Sequence, residues 1–177
     1  MTRMRADARR NAERIVAAAG AVIAEQGADA SLEEIARRAG VGSATLHRRF
    51  PARRALLEAV FRDRVAVLCA RAEELLDSAD PGEALFTWLR AVGAHAVANR
   101  GLSASLMLGS ECHDMIINAG EGLLGRARAA EEVRPEITIV HLLKLVSAIS
   151  LATEQDPDGP AEADHLLAIA LDGIRPR

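Results

Sequence analysis

Between Ser31 and Phe50 the chain reads SLEEIARRAGVGSATLHRRF, and its residue types suit contact with a duplex. Gly42, Ser43 and Ala44 are small enough to let a helix start approach base edges closely in a major groove. Arg48 and Arg49 follow one to two turns later, where cations meet the phosphates that flank the groove. Thr45 and His47 add hydrogen-bonding groups between them, and Arg53 follows just beyond. The candidate DNA contacts are therefore Ser31, Gly42, Ser43, Ala44, Thr45, His47, Arg48, Arg49 and Arg53. A turn between two short amphipathic helices also occurs in proteins that never touch DNA, so spacing alone leaves both readings open.

Two helices must position these groups. Ser31 and Glu34 have the spacing of a capping box, which places a helix start near Leu32. Leu32, Ile35, Ala36 and Ala39 then form one apolar stripe, with Glu33, Glu34, Arg37 and Arg38 off it. Gly40 ends the helix as a residue free to take positive φ, and Val41 turns inward. Gly42-Ser43 opens the second helix, which buries Leu46 and Phe50 and leaves Ser43, Ala44, Thr45, His47, Arg48 and Arg49 outside.

The run V-G-S-A-T-L-H-R-R-F-P followed by R-R-A-L-L resembles the TetR (tetracycline-repressor-like) family pattern: valine, a small cap, a small residue, Thr-Leu-Tyr, a basic residue and an aromatic, then a Lys/Arg-containing helix start. The match covers about the first third of the chain. His47 stands where the family most often has tyrosine, and Ala44 where it often has glycine. The resemblance implies a homodimeric DNA-binding regulator whose last two helices pair with their two-fold mates. It also implies a small molecule held between helices of the C-terminal body.

Composition agrees with a helical protein. Half of the 177 residues are hydrophobic but only 2% are aromatic, so Ala, Leu, Val and Ile do the packing. The net charge of −3 hides an asymmetry: residues 1–64 hold 13 Arg against 8 Asp or Glu, and the remainder holds 9 Arg or Lys against 17. A basic end on an acidic body suits a protein that presents one end to a polyanion, although chance sorting of solvated charge gives the same counts. The longest uncharged run near the N-terminus, residues 15–24, is too short to span a bilayer and no cleavage pattern follows it, so a cytoplasmic protein without a membrane partner is expected. Cys69 and Cys112 make no metal or redox motif and are expected as reduced, small hydrophobes.

In chain order, residues 1–6 read as a frayed arm carrying Arg3 and Arg5, and a helix follows over 7–26, stopped by Gly27. After the corner at Pro51, a connecting helix is expected over 53–77. Asp80-Pro81-Gly82 caps a helix over 82–99. Further helices are expected over 102–108 and 112–132, the latter with glycines at 120, 122 and 125 that suggest close contact or a kink. Arg134-Pro135-Glu136 is expected to start a helix running to about 155, and the last helix covers 161–174. The final two carry apolar residues around most of their circumference, which suggests an interface with a second copy, the alternative being that both helices are internal to one monomer. The fold expected is all-α: a three-helix helix-turn-helix domain over residues 1–52 joined to a helical ligand-binding and dimerisation domain over 53–177.

Catalytic readings find little support. Glu162 and His165 have di-iron spacing but no second copy. Glu111, Cys112, His113 and Asp114 are adjacent on a helix and point in different directions. No catalytic residue, metal or cofactor is expected. Trp88, His95, Met107, Cys112, Met115, Asn118 and His141 place scarce polar or adaptable groups in apolar helices, and they are the candidates for contact with a mainly apolar or neutral effector. The function expected is a homodimeric repressor released from its operator by a small molecule. The alternative is an all-helical ligand-binding or scaffold protein without DNA affinity.

Overall fold

A computed structural model describes residues 2–27, 29–98 and 111–176. Among the described residues there are eight α-helices and no strand: α1 (Thr2–Gln26), α2 (Leu32–Ala39), α3 (Ser43–Arg49), α4 (Arg53–Leu75), α5 (Pro81–Ala98), α6 (Glu111–Ala129), α7 (Ile139–Ala152) and α8 (Gly159–Asp172). The expected helix over 102–108, with Met107, lies outside the described residues. The chain divides into two compact units after Asp63, inside α4, whereas the sequence places the division between residues 52 and 53.

The first unit is built on α1, which buries Ile15, Ala19, Val22 and Ile23 and packs against α2. Gly27 ends α1 at φ +82°, its N–H donating to the Ile23 carbonyl at 2.8 Å. Ile35, Ala36 and Ala39 of α2 are buried on one face, as their spacing predicts. Below them, Leu46 of α3 is 1% exposed, so the short α3 is held by a single anchor from its interior and by buried Phe50 at its end. The first residues of α4 belong to this unit, where Leu56, Val60 and Phe61 are buried.

The second unit is organised around α5, which packs on α6, α7 and α8. Asp80 caps α5 by accepting from the Glu83 N–H at 2.8 Å, so the expected capping role of the Asp-Pro-Gly corner is realised. Leu85, Trp88 and Leu89 of α5 are fully buried, and the Trp88 indole Nε1–H donates to the Leu68 carbonyl of α4 at 3.0 Å. Gly120 explains how α6 comes so close. A Cβ there would lie 2.5 Å from Ile139 Cδ1 and 2.8 Å from the Trp88 ring, so only glycine fits between them. α6 runs unbroken through Gly122 and Gly125.

Three local expectations differ from the structure. Residues 2–6 are not an arm but the first turns of α1, which begins at Thr2. Arg134-Pro135-Glu136 does not start a helix. Its Arg134 N–H donates to the Ile174 carbonyl at 3.1 Å, which ties this loop to the end of the chain. α7 instead begins at Ile139, where Thr138 Oγ1 accepts from the His141 N–H and His141 Nδ1 accepts from the Thr138 N–H. The capping box expected at Ser31 is half formed: Ser31 Oγ accepts from the Glu34 N–H at 3.3 Å, but the Glu34 carboxylate is drawn away by two arginines.

Candidate nucleic-acid interface

The interface candidates are displayed by α3. Gly40, at the turn before it, takes φ +62° and ψ +39°, a left-handed conformation that suits a residue without Cβ. Arg14 of α1 reaches over this turn and its Nη2 donates to the Gly40 carbonyl at 3.5 Å. Gly42 then caps α3 from extended backbone without a side-chain acceptor, and Thr45 and Leu46 direct their N–H groups back to its carbonyl. The first N–H groups of α3 thus have no side-chain cap.

With Leu46 anchored inward, Ser43, Ala44, His47, Arg48 and Arg49 are exposed and Thr45 is half-buried. The structure therefore brings six of the nine candidate contacts onto α3, with Gly42 at its cap. Arg49 stacks its guanidinium over Phe50 at 5.7 Å from the ring centroid and stays exposed. Ser31 is exposed at the start of α2, but its hydroxyl is engaged by capping and by donation to Glu33 at 2.9 Å. Arg53 is placed differently again: its Nη1 donates to the carbonyl of buried Ala30 at 2.9 Å, so it joins the turn before α2 to the start of α4.

A charge network that spacing does not reveal holds α2 on α1. Arg38 binds Glu25 of α1 through Nη1 and Nη2 and binds Glu34 through Nε, at 2.7 Å each. Arg37 adds two 2.7 Å bonds to Glu34. These bonds from Arg37 and Arg38 pull the Glu34 carboxyl down to about 2, and the Arg38 bond lowers that of Glu25. Both carboxylates thus stay ionised at neutral pH. The signal for the Glu25–Arg38 pair was absent from sequence because thirteen positions separate the two residues, and only the packing of α1 on α2 brings them together.

The described candidate effector contacts lie in the second unit in differing surroundings. Trp88 is packed core, satisfied by Leu68. His141 is exposed and caps α7, and Asn118 is exposed. Cys112 is buried, and the Met115 carbonyl accepts a 3.6 Å contact from Cys69 Sγ. His95 is half-buried, and burial together with the nearby Arg64 charge lowers its imidazole to about 4. Met107 lies outside the described residues. A cavity of about 300 Å³ opens elsewhere in this unit, between α5, α7 and α8, and none of the six described candidates lines it. No group of three or more His, Cys, Asp or Glu capable of holding a metal occurs among the described residues.

Residues 15–60 match the family described as bacterial regulatory proteins, tetR family, and residues 80–176 match the transcriptional regulator SbtR-like C-terminal domain. The chain is similar to a TetR transcriptional regulator of Streptomyces coelicolor, with 40% identity over 93% of this chain and 98% of that one and a TM-score of 0.77. A TetR transcription regulatory protein of Mycobacterium vanbaalenii is 31% identical, covering 98% of this chain and 99% of its own at a TM-score of 0.67. FadR of Bacillus subtilis, solved in complex with stearoyl-CoA, shares the fold at 20% identity and a TM-score of 0.63, over 92% of this chain and 99% of that one. No curated protein matches.

Proposed function

Because the chain belongs to the TetR family of bacterial transcriptional regulators, we propose that it acts as a homodimeric repressor that a small molecule releases from its operator. The observation that carries the proposal is the outward face of α3, where Ser43, Ala44, His47, Arg48 and Arg49 stand exposed over buried Leu46. Ser43, Ala44 and His47 face base edges in the major groove, and Arg48 and Arg49 meet the flanking phosphates. Regulators of this family are in general DNA-binding proteins rather than enzymes.

Dimerisation is supported by apolar residues on the last two helices that one chain leaves uncovered. Leu151 of α7 is 70% exposed and Ile169 of α8 is 58% exposed, with Val140 one further exposed apolar residue at the start of α7. Pairing these faces across a two-fold axis makes a four-helix bundle and carries two copies of α3 to successive major grooves, about 34–36 Å apart. Release by a small molecule is supported by relatives of the same fold, FadR with stearoyl-CoA and RolR with resorcinol. α4 is one continuous helix through both units, so a shift in the second unit is transmitted along it to the first. The coupling between effector and DNA is of the usual size for allostery, about 1–3 kcal/mol. The protein acts in the cytoplasm, and no helix among the described residues is long and apolar enough to cross a membrane.

The test is a gel shift on DNA flanking the protein's own gene, paired with sedimentation of wild type and of the Leu151→Asp, Ile169→Asp double variant. Specific retardation by the wild type, with a monomeric and DNA-silent double variant, is the expected result. A wild type that is monomeric, or that binds no DNA from its own locus, overturns the proposal.

A further inference from the structure

Lys144 is the only lysine in the chain, and it stands exposed on α7. Glu162 is exposed on α8, and neither side chain has an ion-pair partner among the described residues. Each lies seven positions before the exposed apolar residue of its own helix, Lys144 before Leu151 and Glu162 before Ile169. Seven residues make almost two full turns, so each charge shares a stripe with its apolar residue, about 10.5 Å away along the helix. α7 and α8 run antiparallel on α5: a Cβ at Gly93 would meet Val146 at 3.5 Å and Leu167 at 3.9 Å, and Ser150 lines the same cavity as Ala163. Val146 is therefore level with Leu167, and Ser150 with Ala163. Continuing that register puts Leu151 level with Glu162, and Lys144 level with Ile169.

Such a surface is complementary to itself under one kind of two-fold axis. An axis across the two helices, midway between the level of Lys144 and the level of Leu151, reverses the order of levels in the second copy. Leu151 then meets the partner subunit's Ile169, and Lys144 meets the partner subunit's Glu162, each contact occurring twice as a two-fold interface requires. An axis along the helices keeps the levels instead, and sets glutamate against glutamate and lysine against lysine. We propose that Lys144 and the partner subunit's Glu162 form a reciprocal ion pair that fixes the orientation and register of the proposed dimer, on which this inference rests, and selects a second copy of this chain as the partner. Exposed ion pairs add little affinity of their own, so this pair acts chiefly by excluding other pairings. The apolar contacts of Leu151 and Ile169 hold the two copies together, and the charges decide how they are set.

A chain with a single lysine allows a direct test. A carbodiimide joins an ε-amine to a carboxylate in contact with it as an amide, without a spacer. The wild type gives a covalent dimer on a denaturing gel, and its cross-linked peptide joins Lys144 to Glu162; Lys144→Arg, which keeps the charge but not the amine, gives no such peptide. In sedimentation, Lys144→Glu or Glu162→Lys alone raises the dimer dissociation constant by about tenfold or more, because each puts like charges together twice per dimer. Mixing these two variants yields a heterodimer in which both contacts again pair opposite charges, and the double variant carrying both changes regains wild-type dimerisation. A wild type that sediments as a dimer but lacks the Lys144–Glu162 cross-link overturns the inference and leaves the repressor reading standing. Single variants that dimerise as well as the wild type do the same. A monomeric wild type overturns both.

Discussion

Arg49 and Arg53 are both cations near the end of the α3 segment, yet their surroundings predict opposite signatures when each is cut to alanine. Arg49 is exposed and stacks on Phe50 at 5.7 Å, worth about 0.5–1 kcal/mol at an exposed site. Its exposed side chain is available to phosphate. Each phosphate contact contributes about 0.9 to the slope of log K against log salt, so a dimer losing two contacts has a slope flatter by about 1.8. Between 50 and 200 mM salt, the wild type then loses about tenfold more affinity than Arg49→Ala. Arg53, by contrast, donates to the carbonyl of Ala30, a residue 2% exposed. Removing that donor costs about 1–3 kcal/mol. At about 2–4 °C per kcal/mol for a chain of this size, the melting temperature falls by roughly 2 to 12 °C. Fluorescence anisotropy across a salt series and differential scanning calorimetry on the same preparations read both effects. An unchanged salt slope in Arg49→Ala removes it from the backbone contacts, and an unchanged melting temperature in Arg53→Ala refutes the structural role of the Ala30 bond.

His47→Ala changes preference at particular base pairs by about 1–3 kcal/mol, and an identical consensus from randomised-site selection for wild type and variant withdraws its base-reading role. Gly120→Ala forces a methyl against Ile139 and Trp88, lowers stability by about 1–3 kcal/mol in urea denaturation and leaves the salt slope of DNA binding alone; full wild-type stability contradicts the close approach. His95 has a folded-state pKa of about 4, below its unfolded value near 6.5, so the folded state binds fewer protons in between. Stability therefore falls as pH drops through the window from 6.5 toward 4. His95→Asn flattens that part of the profile in thermal melts, and an imidazole NMR titration with its midpoint above 6 shows the burial argument to be mistaken.

Much of the candidate interface was legible in the order of residues because it is local. Gly40 has to be permissive, Leu46 has to point inward, and the turn geometry then dictates which side chains of Ser43 to Arg49 face out. Local periodicity likewise gave the apolar stripe of α2. The first turn of α1 and the start of α7 were misplaced because end signals compete. Arg134-Pro135-Glu136 has the composition of a helix start, but its backbone is taken by Ile174, forty residues on, while Thr138 and His141 cap each other.

Partners far apart in sequence are the part that only tertiary packing decided. Glu25 meets Arg38, and Arg53 meets Ala30, because α1, α2 and the start of α4 converge in the first unit. The same reason gives the effector candidates their different surroundings. Rarity in an apolar helix marks Trp88, His95, Cys112, Met115 and His141 as unusual, but it does not tell a satisfied core indole or a helix cap from a cavity wall. Burial and hydrogen bonding make that distinction, and they depend on which helix lies opposite. The cavity between α5, α7 and α8 is defined by an absent side chain at Gly93, and an absence has meaning only once Val146 and Leu167 are known to face it.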